Sequence, residues 1–138
     1  MKKYISSLSL YLLLGVTAHA GNPLPEKRPD GLHVGDRTIP WSEAMSRSEM
    51  TRSPQAWMID FSRTPKWSYT MGLELGAILE TGERYDIDSM KDYALSYADT
   101  IVGNTGRIAT YRLTDYNLDQ INSGKLLFRA YDRTGARK

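Results

Sequence analysis

The sequence predicts an all-α fold built from consecutive helical hairpins. Several of its segments carry apolar residues at the spacing of an α-helix. A Thr-Gly pair follows an apolar run at Thr81-Gly82 and again at Thr134-Gly135, which predicts the same helix-ending turn in two successive hairpins. Because a hairpin buries its apolar face only against neighbours, we expect the first part of a toroid or solenoid, left incomplete where the chain stops at Lys138.

Residues 1–20 have the features of a secretory signal peptide. Two lysines follow Met1, a leucine-rich stretch runs to Val16, and Ala-His-Ala at 18–20 provides a cleavage site of the small-x-small type. The apolar run is shorter than the roughly 20 residues that a membrane helix needs, so an uncleaved anchor is the less favoured alternative. We therefore expect export to the periplasm or to the cell exterior.

The composition argues against several classes of function. Removal of the signal peptide would take two lysines and lower the formal net charge from +2 to zero, and no basic block remains for nucleic acid or a membrane surface. The chain has no cysteine, which excludes disulfides and thiolate chemistry. His33 is the single histidine outside the signal peptide. Acid–base chemistry would then depend on carboxylates or tyrosines, and we expect neither a metal nor a cofactor.

The segment from 21 to 38 is predicted to be an extended tether, because it contains three prolines and three glycines and shows no periodicity. The first helix is expected after Pro40. It should end at Ser53-Pro54, since the residue before a proline is disfavoured in the α region. The remaining residues, 39–138, are predicted to form the N-terminal part of a helical domain.

The next two helices differ in how their apolar residues are distributed. The helix predicted from Trp67 to Glu80 is apolar almost all round, which is typical of an inner helix buried on both sides. The third helix, with Asp86 or Asp88 as its cap, is clearly amphipathic as far as Ile101, which is typical of an outer helix.

A turn is predicted at 103–106 and a short extended stretch at 107–113. A fourth helix should begin near Asn117 and run to Tyr131, in the place that the second helix holds in the first hairpin. Alternating outer and inner helices build an α/α toroid, in which the inner helices begin at a central pocket.

The starts of the two inner helices carry residues suited to binding a sugar. Trp67 and Tyr69 could stack on pyranose faces, while Asp119 and Asn122 could bind hydroxyl groups. A carboxylate in the first turn of the fourth helix would stay ionised near the positive end of the helix dipole. The alternative is structural: Asp119 would only cap a helix, and the two rings would only fill the core.

Four motifs stand in order along the chain: KWSYTMGLEL at 66–75, Thr81-Gly82, Tyr97-Ala98-Asp99 and YNLDQINSGK at 116–125. Together they resemble the N-terminal part of the unsaturated glucuronyl and rhamnogalacturonyl hydrolases, glycoside hydrolase families 88 and 105, over about Ile39 to Lys138. The resemblance implies an (α/α)6 toroid. It also implies an enzyme that removes a 4,5-unsaturated uronic acid from the non-reducing end of lyase-generated oligosaccharides such as those of rhamnogalacturonan.

The reaction implied by the resemblance is hydration of a vinyl ether. A carboxylic acid protonates the double bond, water adds at the ring carbon that bears the oxygen, and the hemiketal opens. Asp119 matches the first of two important aspartates, in the same motif as Asn122, and Trp67 and Tyr69 match an aromatic stretch near the pocket. The second aspartate, the proton donor, belongs to a later helix that this chain does not reach, so we expect an inactive fragment.

Two functions of different classes remain. A piece of an exported hydrolase predicts a continuing reading frame beyond Lys138 and no turnover of an unsaturated disaccharide by the chain alone. A self-sufficient, non-catalytic carbohydrate-binding module predicts cooperative unfolding and a saccharide affinity that falls in Trp67→Ala or Asp119→Ala. The hydrolase is favoured, because four helices with unpaired apolar flanks are a poor place for a fold to end. Neither function calls for nucleic acid or for a membrane once the signal peptide is removed.

Overall fold

The computed structural model describes residues 31–135. The predicted signal peptide and residues 21–30 of the predicted tether lie outside the described residues, as do residues 136–138. Within the described range, no helix combines the length and the apolar character needed to span a bilayer.

A short β-hairpin precedes the helices. Strand β1 (Leu32–Val34) pairs with strand β2 (Arg37–Ile39) in antiparallel register, with Leu32 opposite Ile39. The turn contains Gly35 at a φ of +57°, a conformation that glycine adopts without a steric penalty. The tether prediction missed this hairpin, because strands of three residues are too short to show an alternating pattern.

Helix α1 (Trp41–Arg52) follows Pro40 and ends at Ser53, as predicted. Met50 packs against the core, while Met45 is largely exposed, so α1 lies at the margin of the core. A 3₁₀ turn at Ala56–Met58 then leads the chain towards the second helix.

Helices α2 (Tyr69–Arg84) and α3 (Asp88–Ile101) form the centre of the fold. Their buried faces meet each other and one residue of the last helix. The largest apolar members of this core are Ile59, Trp67, Met71, Leu75, Ile78, Leu79, Met90, Tyr97, Ile101 and Leu126. The amphipathic pattern of the third helix is confirmed. Leu73 of α2 is 54% exposed, so burial of α2 on both sides is not observed.

The pair Thr81-Gly82 does not end α2, and this prediction was wrong. The helix continues to Arg84, and both residues of the pair are buried inside it. A Cβ atom on Gly82 would lie 2.9 Å from the Cβ of Met90 and 3.0 Å from the backbone nitrogen of Lys91. Glycine is therefore needed here for the close approach of α3 and not for a turn.

The start of α3 also differs from the prediction. Its N-cap residue is Ile87, and no side chain caps the helix there. Asp86 and Asp88 instead place their carboxylates 2.9 Å and 2.7 Å from the ammonium group of Lys91. The two aspartates thus hold a lysine of the first turn.

Helix α4 (Gly124–Thr134) begins later than predicted. The predicted turn at 103–106 is confirmed, but the stretch after it forms one isolated bridge, Val102 to Ile108, and not a strand. The 3₁₀ turn Leu118–Gln120 occupies the place of the first turn of the predicted fourth helix, and another 3₁₀ turn, Leu113–Asp115, precedes it.

The end of α4 agrees with the sequence prediction. Gly135 has a φ of +63°, and its N–H donates to the carbonyl of Tyr131 at 2.7 Å. This is the left-handed glycine turn expected from Thr134-Gly135. The helices carry the core throughout the described part of the chain, so the predicted all-α class is confirmed.

Candidate functional site

The indole of Trp67 joins the start of α2 to the loop before α4. Its Nε1 donates to the carbonyl of Gln120 at 2.6 Å. The ring is only 7% exposed and stacks on Tyr97, with ring centroids 6.3 Å apart and planes 15° apart. Trp67 therefore lies in the core and has no free face for a sugar. The hydrogen bond from its indole holds Gln120, the residue next to Asp119, in place.

Two further hydrogen bonds fasten the same loop to the same end of α2. The Nδ2 of Asn122 donates to the carbonyl of Tyr69 at 3.2 Å. The hydroxyl of Ser123 donates to the carbonyl of Ser68, the N-cap residue of α2. Ser123 is fully buried, whereas Asn122 is half-buried. The start of α2 and the loop thus form one rigid junction.

The side chain of Tyr97 supports this junction from α3. Its hydroxyl donates to the carbonyl of Lys66 at 2.7 Å. Burial raises the pKa of the Tyr97 phenol far above its ordinary value, so the phenol remains a hydrogen-bond donor. The backbone N–H of Trp67 donates to the hydroxyl of Thr110 at 2.7 Å. Thr110 has a φ of +62°, and nothing in its sequence surroundings signals this role.

Asp119 is exposed and lies in the three-residue 3₁₀ turn Leu118–Gln120, not in the first turn of α4. The prediction that Asp119 lies in the first turn of the fourth helix was therefore wrong. Its backbone N–H instead donates a hydrogen bond to the side chain of Asn117, whose Oδ1 accepts at 2.9 Å. This local bond shapes the turn and leaves the carboxylate facing solvent.

Hydrogen bonds join the start of α2, which carries Trp67 and Tyr69, to the loop that carries Asp119 and Asn122. Trp67 is buried, Tyr69 is 48% exposed, Asn122 is half-buried and Asp119 is exposed. A carboxylate, an amide and an aromatic ring therefore lie on the two segments that the junction connects, and groups of these types suit the recognition of hydroxyl groups on a sugar. Across residues 31–135, no group of three or more acidic or histidine side chains could hold a metal ion.

The profile described as Glycosyl Hydrolase Family 88 matches residues 41–138, which is most of the chain. Searches of curated proteins and of solved structures gave no significant match. The (α/α)6 toroid of this family is consistent with the all-α architecture of the described residues, and its general activity is glycoside hydrolysis. The chain belongs to glycosyl hydrolase family 88.

Proposed function

We propose that this chain belongs to a hydrolase that removes 4,5-unsaturated uronic acid from the non-reducing end of oligosaccharides produced by polysaccharide lyases. Oligosaccharides of rhamnogalacturonan are among these substrates. One proton adds to the double bond, and one water molecule adds its hydroxyl to the neighbouring carbon that bears the ring oxygen. The resulting hemiketal opens to a ketone and leaves a hemiacetal at the anomeric carbon. The hemiacetal collapses to an aldehyde, its proton passes to the glycosidic oxygen, and the next sugar leaves as an alcohol. The reaction consumes one water and needs no oxidant or reductant.

In this proposal the exposed residues of the junction contact the substrate. The carboxylate of Asp119 accepts hydrogen bonds from sugar hydroxyls or from the water, and the ring of Tyr69 packs against a sugar. The amide of Asn122, whose nitrogen is held by the Tyr69 carbonyl, offers its oxygen to a hydroxyl. Trp67 holds the loop from inside the core.

The observation that supports these roles best is the hydrogen bond from the Trp67 indole to the Gln120 carbonyl. It joins the two motifs on which the resemblance depends, although they are far apart in the sequence. A binding site for a polar ligand gains affinity when its groups are held in place before binding. The rigid junction supplies this preorganisation to Asp119.

We also propose that the protein is exported and acts in the periplasm or outside the cell. The support is the charged start, the leucine-rich stretch and the Ala-His-Ala site within residues 1–20.

The test is calorimetric titration of the full chain with a 4,5-unsaturated glucuronyl disaccharide. We expect binding that Asp119→Asn weakens by about tenfold, since a charged hydrogen bond contributes roughly 1.5–3 kcal/mol. Asp115→Asn is the matched control, because Asp115 is an exposed acid in the neighbouring 3₁₀ turn. It should change the affinity less than about twofold.

The same titration with the saturated disaccharide tests the substrate class. We expect weaker binding, because the flattened unsaturated ring presents a different face and different hydroxyl directions. Equal effects of the two aspartate substitutions would contradict the role of Asp119. A chain that binds neither disaccharide would refute the proposed function.

A further inference from the structure

We propose that Gly72 is a positioning residue for Asp119. Because Gly72 has no side chain, the backbone at Asn122 and Ser123 can lie directly against the start of α2, which sets the position of the loop that carries Asp119. The inference rests on the proposed function in one respect, namely that Asp119 contacts the substrate.

The contact at Gly72 involves backbone atoms on both sides. A Cβ atom at this position would lie 2.5 Å from the nitrogen of Ser123 and 2.7 Å from its Cα and from the carbonyl carbon of Asn122. Flexible side chains can rotate away from such a contact, but backbone atoms cannot. Any other residue at 72 would therefore have to push the loop away by about 1 Å to restore ordinary van der Waals distances.

The loop cannot yield at this point without breaking its other attachments. Ser123 donates to the Ser68 carbonyl, and Asn122 donates to the Tyr69 carbonyl. Both acceptors lie at the start of α2, next to Gly72. A displacement of the backbone would lengthen both bonds together and move Asp119. A misplacement of about 1 Å is enough to cost a catalytic or binding group most of its effect.

Gly76, one turn further along α2, shows that a glycine in this helix need not mark a close contact. A Cβ atom on Gly76 would meet nothing within 4 Å. Glycine in the interior of a helix is less favourable than alanine. At Gly72 the close contact with the loop offsets this cost in helix stability. Gly76 has no such contact. The two positions thus form a matched pair for experiment.

The test compares Gly72→Ala with Gly76→Ala in the full chain. Amide chemical shifts report the position of residues 116–123, and calorimetric titration with the unsaturated disaccharide reports the affinity. We expect Gly76→Ala to leave both unchanged. Gly72→Ala should shift the amide signal of Asp119 and weaken binding at least about tenfold. Adding Asp119→Asn to Gly72→Ala should weaken binding little further, because the two residues act through one position.

The outcomes separate this inference from the proposed function. A folded Gly72→Ala variant with unchanged Asp119 shifts would overturn the inference, whatever the affinity. Absence of binding by the unsubstituted chain would refute the proposed function, and the amide shifts would still decide whether Gly72 positions the loop. Should Gly72→Ala fail to fold, Ser123→Ala removes the bond to Ser68 without a clash. It must shift the Asp119 amide signal, or the inference is wrong.

Discussion

Trp67 lies in the core and holds the loop of the proposed binding site through one hydrogen bond. Its ring contacts Tyr97 in the core, and its nitrogen holds the carbonyl beside Asp119. The sequence predicted that Trp67 lies near the site. It could not distinguish stacking on a sugar from stacking on Tyr97, because both require an aromatic ring at the same position.

We expect Trp67→Ala to act mainly on the stability of the fold and less on sugar binding. The change removes a buried ring and the bond to Gln120, so the free energy of unfolding should fall by about 3–5 kcal/mol. Urea denaturation measures this loss. Tyr69→Ala, which truncates a half-exposed ring of the same motif, should cost less than about 1.5 kcal/mol. If Trp67→Ala were as stable as the parent protein and bound sugar less well, the ring would have to face the ligand.

Tyr93 makes the fold less stable as the pH rises into the alkaline range. Its hydroxyl donates to the Ser53 carbonyl at 2.6 Å, and burial raises the pKa of the phenol from 10.0 to about 12, with a smaller contribution from Glu74. The unfolded chain loses this proton near pH 10, whereas the folded chain keeps it. The contribution of Tyr93 is therefore complete below about pH 10 and is lost as the pH rises towards 12.

Urea denaturation at several alkaline pH values tests this dependence. Tyr93→Phe should be less stable than the parent protein at pH 7, because the hydrogen bond to Ser53 is lost. Above pH 10 the difference between the two proteins should shrink. The same dependence on pH in both proteins would show that another group is responsible. Tyr97 acts in the same direction, so some decline should remain in the variant.

Among the elements, the sequence predicted the end of α1 and the amphipathic pattern of α3 well. The Ser53-Pro54 pair ends α1, and the spacing of apolar residues defines α3. The start of the fourth helix was wrong, because Asn117 bonds to the backbone of Asp119 and so competes with helical hydrogen bonding. The predicted end of α2 at Thr81-Gly82 was wrong, because a sequence does not distinguish a glycine that ends a helix from one that permits close packing.

Helix α4 offers a comparison between buried and exposed attachments. Leu126 is 2% exposed and belongs to the core, whereas Arg133 pairs with Asp92 of α3 at 2.8 Å on the surface. We expect Leu126→Ala to lower the free energy of unfolding by about 2–5 kcal/mol and Arg133→Ala by less than about 1 kcal/mol. Urea denaturation at low and high salt checks both values. A large, salt-dependent effect of Arg133→Ala would show that ion pairs hold α4.

For the whole molecule, helical periodicity was sufficient to predict the all-α class, and the ordered motifs were sufficient to predict the family. The predicted repeat of the Thr-Gly turn was half correct, since Thr134-Gly135 ends α4 while Thr81-Gly82 lies inside α2. The arrangement of the helices around the core depends on contacts between distant residues. Periodicity carries no information on such contacts.

The face shared by α2 and α4 forms an open groove of about 490 Å³. Leu73 and Phe128 line it and are 54% and 74% exposed. An apolar groove of this kind should bind a hydrophobic dye in the native state. Phe128→Ser should reduce the dye fluorescence, with circular dichroism unchanged. Phe61→Ser is the control, since Phe61 is exposed outside the groove. Equal losses in the two variants would contradict a specific contribution of the groove.

Four of the bonds at the junction share one property, which is that a side chain donates and a main-chain carbonyl accepts. The donors are Trp67, Tyr97, Asn122 and Ser123, and the acceptors are the carbonyls of Gln120, Lys66, Tyr69 and Ser68. Every residue type has a carbonyl group, so evolution can exchange the side chains at 66, 68 and 120 without losing these bonds. The four donor residues cannot be exchanged in this way, because their side chains form the bonds. Substitutions at the junction should therefore accumulate at the acceptor positions and not at the donor positions.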